Sequence, residues 1–148
     1  TPTLLKGYWN KPEATAQTLR NGWFHTGDIG CIDKDGYLHY LGRRKEMLKV
    51  NGMSVFPAEI EAMLGKHPAV LGSAVVGRTD AQRGQLPVAF VMLRPEAVGT
   101  LDDTTLTRWC RDNMAVYKVP IVRIVDALPL TATGKVRKQD LAPLAEQL

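Results

Sequence analysis

Hydrophobic and polar positions divide this chain into short extended runs separated by a few helical stretches. Residues 1–22 show little regular pattern: Gly7-Tyr8-Trp9-Asn10-Lys11-Pro12 is rich in turn formers, and residues 13–19 suit a short helix. Residues 23–28 are strand-like and end in a turn. Asp33-Lys34-Asp35-Gly36 has the composition of a hairpin turn between residues 29–32 and 37–41, so residues 23–41 are expected to form an antiparallel hairpin. Residues 53–56 are short and extended. Pro57 suits a first helical position, Glu59 and Glu61 favour the positive end of a helix, and Ile60, Met63 and Leu64 make an apolar face that His67-Pro68 stops. Residues 70–77 and 87–93 are β-rich and are expected to pair as a second hairpin through a polar loop, 78–85. Asp102 or Asp103 caps a helix carrying Leu106, Trp109, Cys110 and Met114 on one face. Pro120 ends that segment, 121–125 is a further strand, 128–135 is a loop, and a short helix follows from Arg137.

Between these blocks lies Gly42-Arg43-Arg44-Lys45-Glu46-Met47-Leu48-Lys49-Val50-Asn51-Gly52, in which two glycines bracket five charged residues. Glycine tolerates backbone angles that other residues resist, so the segment is expected to be a bending connection. Beyond it, residues 45–148 should form a small α/β (α+β) domain, with about three helices and a mixed or antiparallel sheet. Residues 1–44 end in strands without partners in the chain, and an isolated hairpin is marginal in water. They are expected to be the end of a larger domain. The start, Thr1-Pro2-Thr3, has no initiator methionine and fits a piece of something longer.

Composition narrows the function classes. Apolar residues make up 45% and charged residues 23%, enough for a packed core. The net charge of +4 is spread evenly: residues 1–44 hold six basic and four acidic residues, and residues 45–148 hold thirteen and eleven. No basic tail demands nucleic acid. The longest apolar runs are far short of a membrane span, and no signal peptide opens the chain. Cys31, Cys110, His25, His39 and His67 are scattered without a zinc-ligand spacing, which points to reduced thiols, a cytoplasmic protein and no metal site of its own. The Asp33–Gly36 turn lacks the remaining ligands of a calcium loop.

Three stretches carry candidate chemistry. In Thr26-Gly27-Asp28 a turn glycine lets backbone approach a ligand, and the neighbouring carboxylate can accept two hydrogen bonds from a vicinal diol such as that of ribose. The Arg43 guanidinium suits phosphate or ribose oxygens. In Leu130-Thr131-Ala132-Thr133-Gly134-Lys135 a lysine sits beside glycine with two hydroxyls close by, where it can act as a mobile point charge on phosphate or carboxylate. The spacing is not that of a Walker phosphate loop.

Taken in order, Gly7-Tyr8-Trp9-Asn10-Lys11-Pro12, Gly22-Trp23-Phe24-His25-Thr26-Gly27-Asp28, Gly42-Arg43-Arg44-Lys45, Lys49-Val50-Asn51-Gly52 with Pro57-Ala58-Glu59-Ile60-Glu61, Tyr117-Lys118-Val119-Pro120, and Leu128-Pro129-Leu130-Thr131 through Gly134-Lys135-Val136-Arg137-Lys138 form a series. It resembles the C-terminal part of the adenylate-forming enzymes: acyl-CoA synthetases, adenylation domains of peptide synthetases, and firefly luciferase. The resemblance covers nearly the whole chain and is nearest to an acyl-CoA synthetase of the fatty-acid–CoA ligase type.

That resemblance implies a two-step ligase. A carboxylic acid attacks MgATP to give an acyl-adenylate and pyrophosphate; coenzyme A then displaces AMP. By matching position, Asp28 with Thr26 and Gly27 holds the ribose hydroxyls, and Arg43 is a second nucleotide contact. Lys45 is the hinge, Lys135 is the adenylation lysine, and the Lys49 to Gly52 loop replaces it at the active site for thioester formation. Glu46 stands where many relatives have Asp. The family's phosphate loop, its acyl pocket and any Mg2+ ligands fall outside these residues. The chain alone is therefore expected to be inactive, with the rest of the same protein as its partner. The last residues, Glu146-Gln147-Leu148, are not a peroxisomal signal, and peripheral membrane association is left open. The alternatives are an adenylation domain charging a carrier protein and a non-catalytic binding module. A nucleic-acid version of the module would use Arg43-Arg44-Lys45 and Arg137-Lys138, but acidic residues are distributed among these.

Overall fold

The computed structural model describes residues 3–148; Thr1 and Pro2 lie outside the described residues. The chain first forms a helix, α1 (Pro12–Thr18), and a two-residue hairpin, β1 (Leu19–Arg20) with β2 (Trp23–Phe24). A longer hairpin follows, β3 (Asp28–Ile32) with β4 (Leu38–Arg43). Residues 23–41 are therefore not one hairpin. Trp23 and Phe24 turn back at Asn21-Gly22 onto β1, just after α1, and only Asp28 onward pairs with β4. The expected turn at Asp33 is present: its Oδ1 accepts the Asp35 and Tyr37 N–H groups, each at 2.9 Å.

Past a one-turn 3-10 helix (Arg44–Glu46), five strands make one sheet: β5 (Leu48–Val50), β6 (Met53–Val55), β7 (Val70–Asp80), β8 (Gly84–Leu93) and β9 (Ile121–Ile124). The order is β6-β5-β8-β7, and β9 lies parallel to β8 along Val88–Val91, beyond the point where β5 leaves it. A parallel neighbour needs a crossover, and α3 (Asp103–Asn113) supplies it. With α2 (Pro57–Leu64) and α4 (Lys138–Ala145), this domain has the expected three helices on a mixed sheet; α1 makes a fourth in the chain.

Alternation along β7 and β8 assigns the two faces. Val75, Ala89 and Val91 pack with Ile60, Leu64, Leu106 and Cys110 of α2 and α3. Ala74, Val76, Val88 and Phe90 pack with Leu141 and Ala145 of α4. Burial on both faces explains why β8 reads as an unbroken apolar run rather than an alternating one. Pro87 pairs with Gly77 of β7, but on the other edge of β8 it falls between the β5 pairing at Gly84 and the start of β9 at Val88, so neither of those strands calls on its missing N–H.

Two expectations fail locally. The 78–85 stretch is not a loop: β7 and β8 keep pairing through Asp80 and Gly84, and the turn is only 81–83. Asp80 Oδ1 closes it by accepting from Gln82 and Arg83 N–H at 3.0 and 2.7 Å. The Lys49 to Gly52 stretch, expected as a loop, has Lys49 and Val50 in strand β5, and only Asn51 and Gly52 form the turn to β6. Asn51 (φ 51°) and Gly52 (φ 79°) both take the positive φ that a two-residue type I′ turn requires.

Candidate functional site

The predicted residues fall in three places. The first is the β3–β4 hairpin, where Asp28 and Arg43 are register partners. Arg43 Nη1 lies 2.9 Å from Asp28 Oδ1 and donates to Thr26 O at 3.0 Å. Thr26 Oγ1 accepts the Asp28 N–H at 3.0 Å, and Gly27 O accepts the Arg44 N–H at 2.8 Å. Thr26, Gly27, Asp28 and Arg43 thus form one hydrogen-bonded cluster, with the Asp28 side chain 34% and the Arg43 side chain 50% exposed. Such a carboxylate has its orientation set by the guanidinium and can still reach a diol.

Lys45 follows immediately, exposed in the 3-10 turn between extended residues Arg43 and Met47. Gly42, just before it, is buried against Phe56. A side chain at 42 would meet that ring at 3.2 Å, in a backbone conformation (φ 155°) that L residues rarely adopt.

The second place is the β5–β6 hairpin. Lys49 is anchored at both ends of its residue: Nζ donates to Ser54 Oγ at 2.8 Å and the backbone N–H to Gln85 Oε1 at 2.8 Å. Asn51 N–H donates to Arg83 O at 2.8 Å, tying the hairpin tip to the β7–β8 turn.

The third place is the loop before α4. Leu130 and Val136 pair as a single antiparallel bridge, and Thr131 N–H donates to Lys135 O at 2.7 Å. Thr131 Oγ1 accepts the Lys135 N–H at 3.1 Å and lies 3.0 Å from Thr133 Oγ1. Gly134 (φ 80°) closes the turn by donating to Thr131 O at 2.9 Å. The two hydroxyls therefore brace the backbone, leaving the exposed Lys135 ammonium to act outward. Among the described residues, no hydrogen bond or ion pair joins Lys135, Lys49 and the Asp28–Arg43 cluster. The three stations are separate in this arrangement. Lys49 is on a hairpin extending the sheet, and Lys135 is at the entry to the helix on its second face.

Reading the sequence missed two features. A groove of about 680 Å3 runs between α3 and the start of β8, lined by Arg83, Arg108 and Arg111 over an apolar floor that includes Val116, Pro120 and Ile121. Its only trace in the sequence is the Arg108/Arg111 spacing of three, which puts both on one helix face. The second is a cluster at Lys138. Its Nζ lies 2.7 Å from Glu61 Oε1 and 3.1 Å from Glu46 Oε2. Burial pushes this ammonium down, but Glu61 and then Glu46 outweigh it and hold it above the ordinary lysine range. Nearby, Lys118 pairs with Glu59 and is raised by that hydrogen bond, which pins the turn Val116–Lys118 to the start of α2.

The basic residues that a nucleic-acid surface would need are largely paired with acids: Arg43 with Asp28, Arg137 with Asp140 at 3.2 Å, and Lys138 with two glutamates. No helix among the described residues is long and apolar enough to cross a membrane.

The sequence model described as AMP-binding enzyme C-terminal domain matches residues 59–135, just over half of the chain. A 2-succinylbenzoate–CoA ligase of Geobacillus kaustophilus is 45% identical over 97% of this chain and 29% of its own length. A feruloyl-CoA synthase of an Amycolatopsis species is 42% identical over 95% of this chain and 28% of its own length. Among solved structures, an o-succinylbenzoate CoA synthetase from Bacillus subtilis, in complex with its acyl-adenylate intermediate, superposes with a TM-score of 0.84 at 34% identity. That match covers 95% of this chain and 28% of the other. The chain thus spans about three tenths of the length of these relatives.

Proposed function

The chain belongs to the AMP-binding enzyme C-terminal domain family, and from that membership we propose that it is the mobile end of an ATP-dependent acyl-CoA ligase. The complete protein activates a carboxylic acid as an acyl-adenylate and passes the acyl group to coenzyme A. Residues 45–148 are the small domain that rotates between the steps, and residues 1–44 are the last strands of the large domain.

The observation that carries this reading is the arrangement of the three stations around Lys45. Asp28 and Arg43 lie on one side of it in the chain. Lys49, Gly52 and Lys135 lie on the other, with the two lysines on different elements of one domain. One site cannot present a phosphate-bridging cation and a path for a thiol at once, and rotation about an exposed turn alternates them. In the first step Asp28 accepts the ribose hydroxyls of ATP, helped by Thr26 and Gly27. Arg43 fixes that carboxylate and contacts the nucleotide. Lys135 approaches the reacting carboxylate and α-phosphate, where negative charge builds. Mg2+ arrives with the triphosphate; no group of three or more His, Cys, Asp or Glu among the described residues is arranged to hold it. In the second step the Lys49–Gly52 hairpin takes the place of Lys135. The groove of Arg83, Arg108 and Arg111 is suited to the phosphates of coenzyme A.

The acid is an open choice between fatty acids, to which the sequence pattern is nearest, and aryl acids of the kind in the relatives' names. Its pocket lies on residues of the large domain. A cytoplasmic location fits the reduced cysteines and the substrates. The test is carboxylate-dependent exchange of pyrophosphate into ATP by the complete protein over a panel of fatty and aryl acids. Exchange with one class, followed by CoA thioester formation, is expected. No exchange with any acid would favour a non-catalytic module instead.

A further inference from the structure

We propose that Lys138 is a positioning residue that fastens the Lys135 loop to the segment after Lys45, so that the two move as one rigid body. Lys138 is the first residue of α4 and stands three places after Lys135. A cation in the first turn faces the positive end of the helix dipole, where an acid would be favoured. Nothing in the helix explains a lysine there. Its surroundings do. Glu61, on α2, offers Oε1 at 2.7 Å, and Glu46, the last residue of the 3-10 turn, offers Oε2 at 3.1 Å. The side chains of Lys138, Glu61 and Glu46 are only 26%, 24% and 37% exposed.

Glu61 is itself fixed. The same Oε1 accepts the Val75 N–H at 2.7 Å, on strand β7. The carboxylate therefore ties α2 to the sheet and presents a preset anchor to Lys138. Among the described residues the Glu46 carboxylate has no such second tie, so its place depends on the ammonium. The cluster joins three segments distant in sequence: the turn at 44–46, α2, and the entry to α4. It places the pivot on the N-terminal side of Glu46, at Lys45. A rotation there carries Glu46, Glu61, Lys138 and the Lys135 loop together, so the angle of the hinge sets the position of Lys135 without slack between them.

This inference rests on the roles proposed above for Lys45 and Lys135, and its readout is independent of them. Amide hydrogen exchange is measured on the 148-residue chain, which contains the whole cluster. Lys138→Met should speed exchange of residues 44–46 and 131–136 together by about tenfold, the scale of losing charged hydrogen bonds, while β8 amides such as Val91 stay within about twofold. Lys138→Arg, which keeps the charge and can reach both carboxylates, should restore protection in both segments. Glu46→Gln should loosen 44–46 alone, because Lys138 stays on Glu61. Unchanged exchange in both segments of Lys138→Met would overturn the proposal. So would a uniform rise that includes β8, which would mark a merely stabilising ion pair. Should Lys138→Met fail to fold, Glu46→Gln decides, since unchanged protection at 44–46 contradicts the tie. If the coupled loosening appears but Lys135→Ala leaves adenylation by the complete protein intact, the ligase reading fails and the coupling stands.

Discussion

Residues 3–47 and residues 48–148 are built from similar side chains and end up in opposite conditions. Every residue of the two apolar cores lies at Leu48 or later, and Gly42 alone is buried among the described residues before it. Trp9, Trp23, Ile32, Tyr37 and Leu38 are 71–89% exposed, although they are as apolar as the residues that fill the cores. The difference is not composition but layering. The five-stranded sheet has α2 and α3 on one face and α4 on the other, whereas among the described residues the β3–β4 hairpin is covered only at its Gly42 end, by Phe56 and the start of α2. A strand pair without a cover cannot bury its apolar side chains, however well it is hydrogen-bonded. In the proposed ligase the large domain supplies that cover.

The sharpest contrast is chemical. Cys110 is fully buried and its thiol is pushed up to about 11 by burial, while Cys31 is exposed on β3. At pH 8 a thiol reagent should modify one cysteine quickly in the native chain. The second should react at least about 10³-fold more slowly, since it must wait for opening of the domain. Both should react at once in denaturant. Two fast thiols in the native chain would show that the second region is not the closed core described here.

Next in size is a pair of truncations. Leu106→Ala empties a site with no solvent exposure and should cost about 2–5 kcal/mol in urea unfolding. Leu38→Ala, at 75% exposure, should change the stability of the same chain by less than about 0.5 kcal/mol. Comparable losses would mean that the hairpin is part of the same cooperative unit.

The smallest effect is at alkaline pH. Lys118, through its hydrogen bond to Glu59, and Lys138, through Glu61 and Glu46 against the opposing effect of burial, titrate above the ordinary lysine value of 10.5. A raised folded-state pKa adds stability below that value and loses it as pH climbs through the folded one. The thermal midpoint should therefore fall above about pH 10.5. A Lys118→Met, Lys138→Met double variant should lack that part of the fall. Parallel profiles for the two proteins would show that neither ion pair contributes.

Much of this layout is legible in the sequence, for identifiable reasons. Pro57 and the Asp102-Asp103 pair mark helix starts because the chemistry of a first turn is local; of the two aspartates the structure selects Asp102, which accepts the Thr105 N–H at 2.7 Å. The two β-rich runs paired as expected because burial on both faces demands apolar sequence. Asn51-Gly52 is a local hairpin signal, and it forms the two-residue turn between β5 and β6. The 78–85 stretch misled because its polar residues are held in the ladder by distant groups: Glu146, on the far side of α4, accepts from Thr79 N and Oγ1 at 3.0 Å each. At the candidate site, Asp28 and Arg43 were named separately, and only strand register joins them. The arginine groove and the Lys138 cluster depend on residues brought together across the domain from positions up to 92 apart, and no local pattern announces them.

The proposed alternation of two lysines about Lys45 is tested most directly by measuring the two half-reactions of the complete protein separately. Lys135→Ala should slow adenylate formation by roughly 10²–10³-fold, the loss of about 3–4 kcal/mol of charge stabilisation. Given ready-made acyl-adenylate, it should still transfer the acyl group to coenzyme A. Lys45→Pro fixes φ near −65° and should do the reverse, keeping adenylation and losing transfer, and Lys49→Ala should fall mainly on transfer. Equal damage to both half-reactions by Lys135→Ala and by Lys45→Pro would contradict domain alternation in this protein.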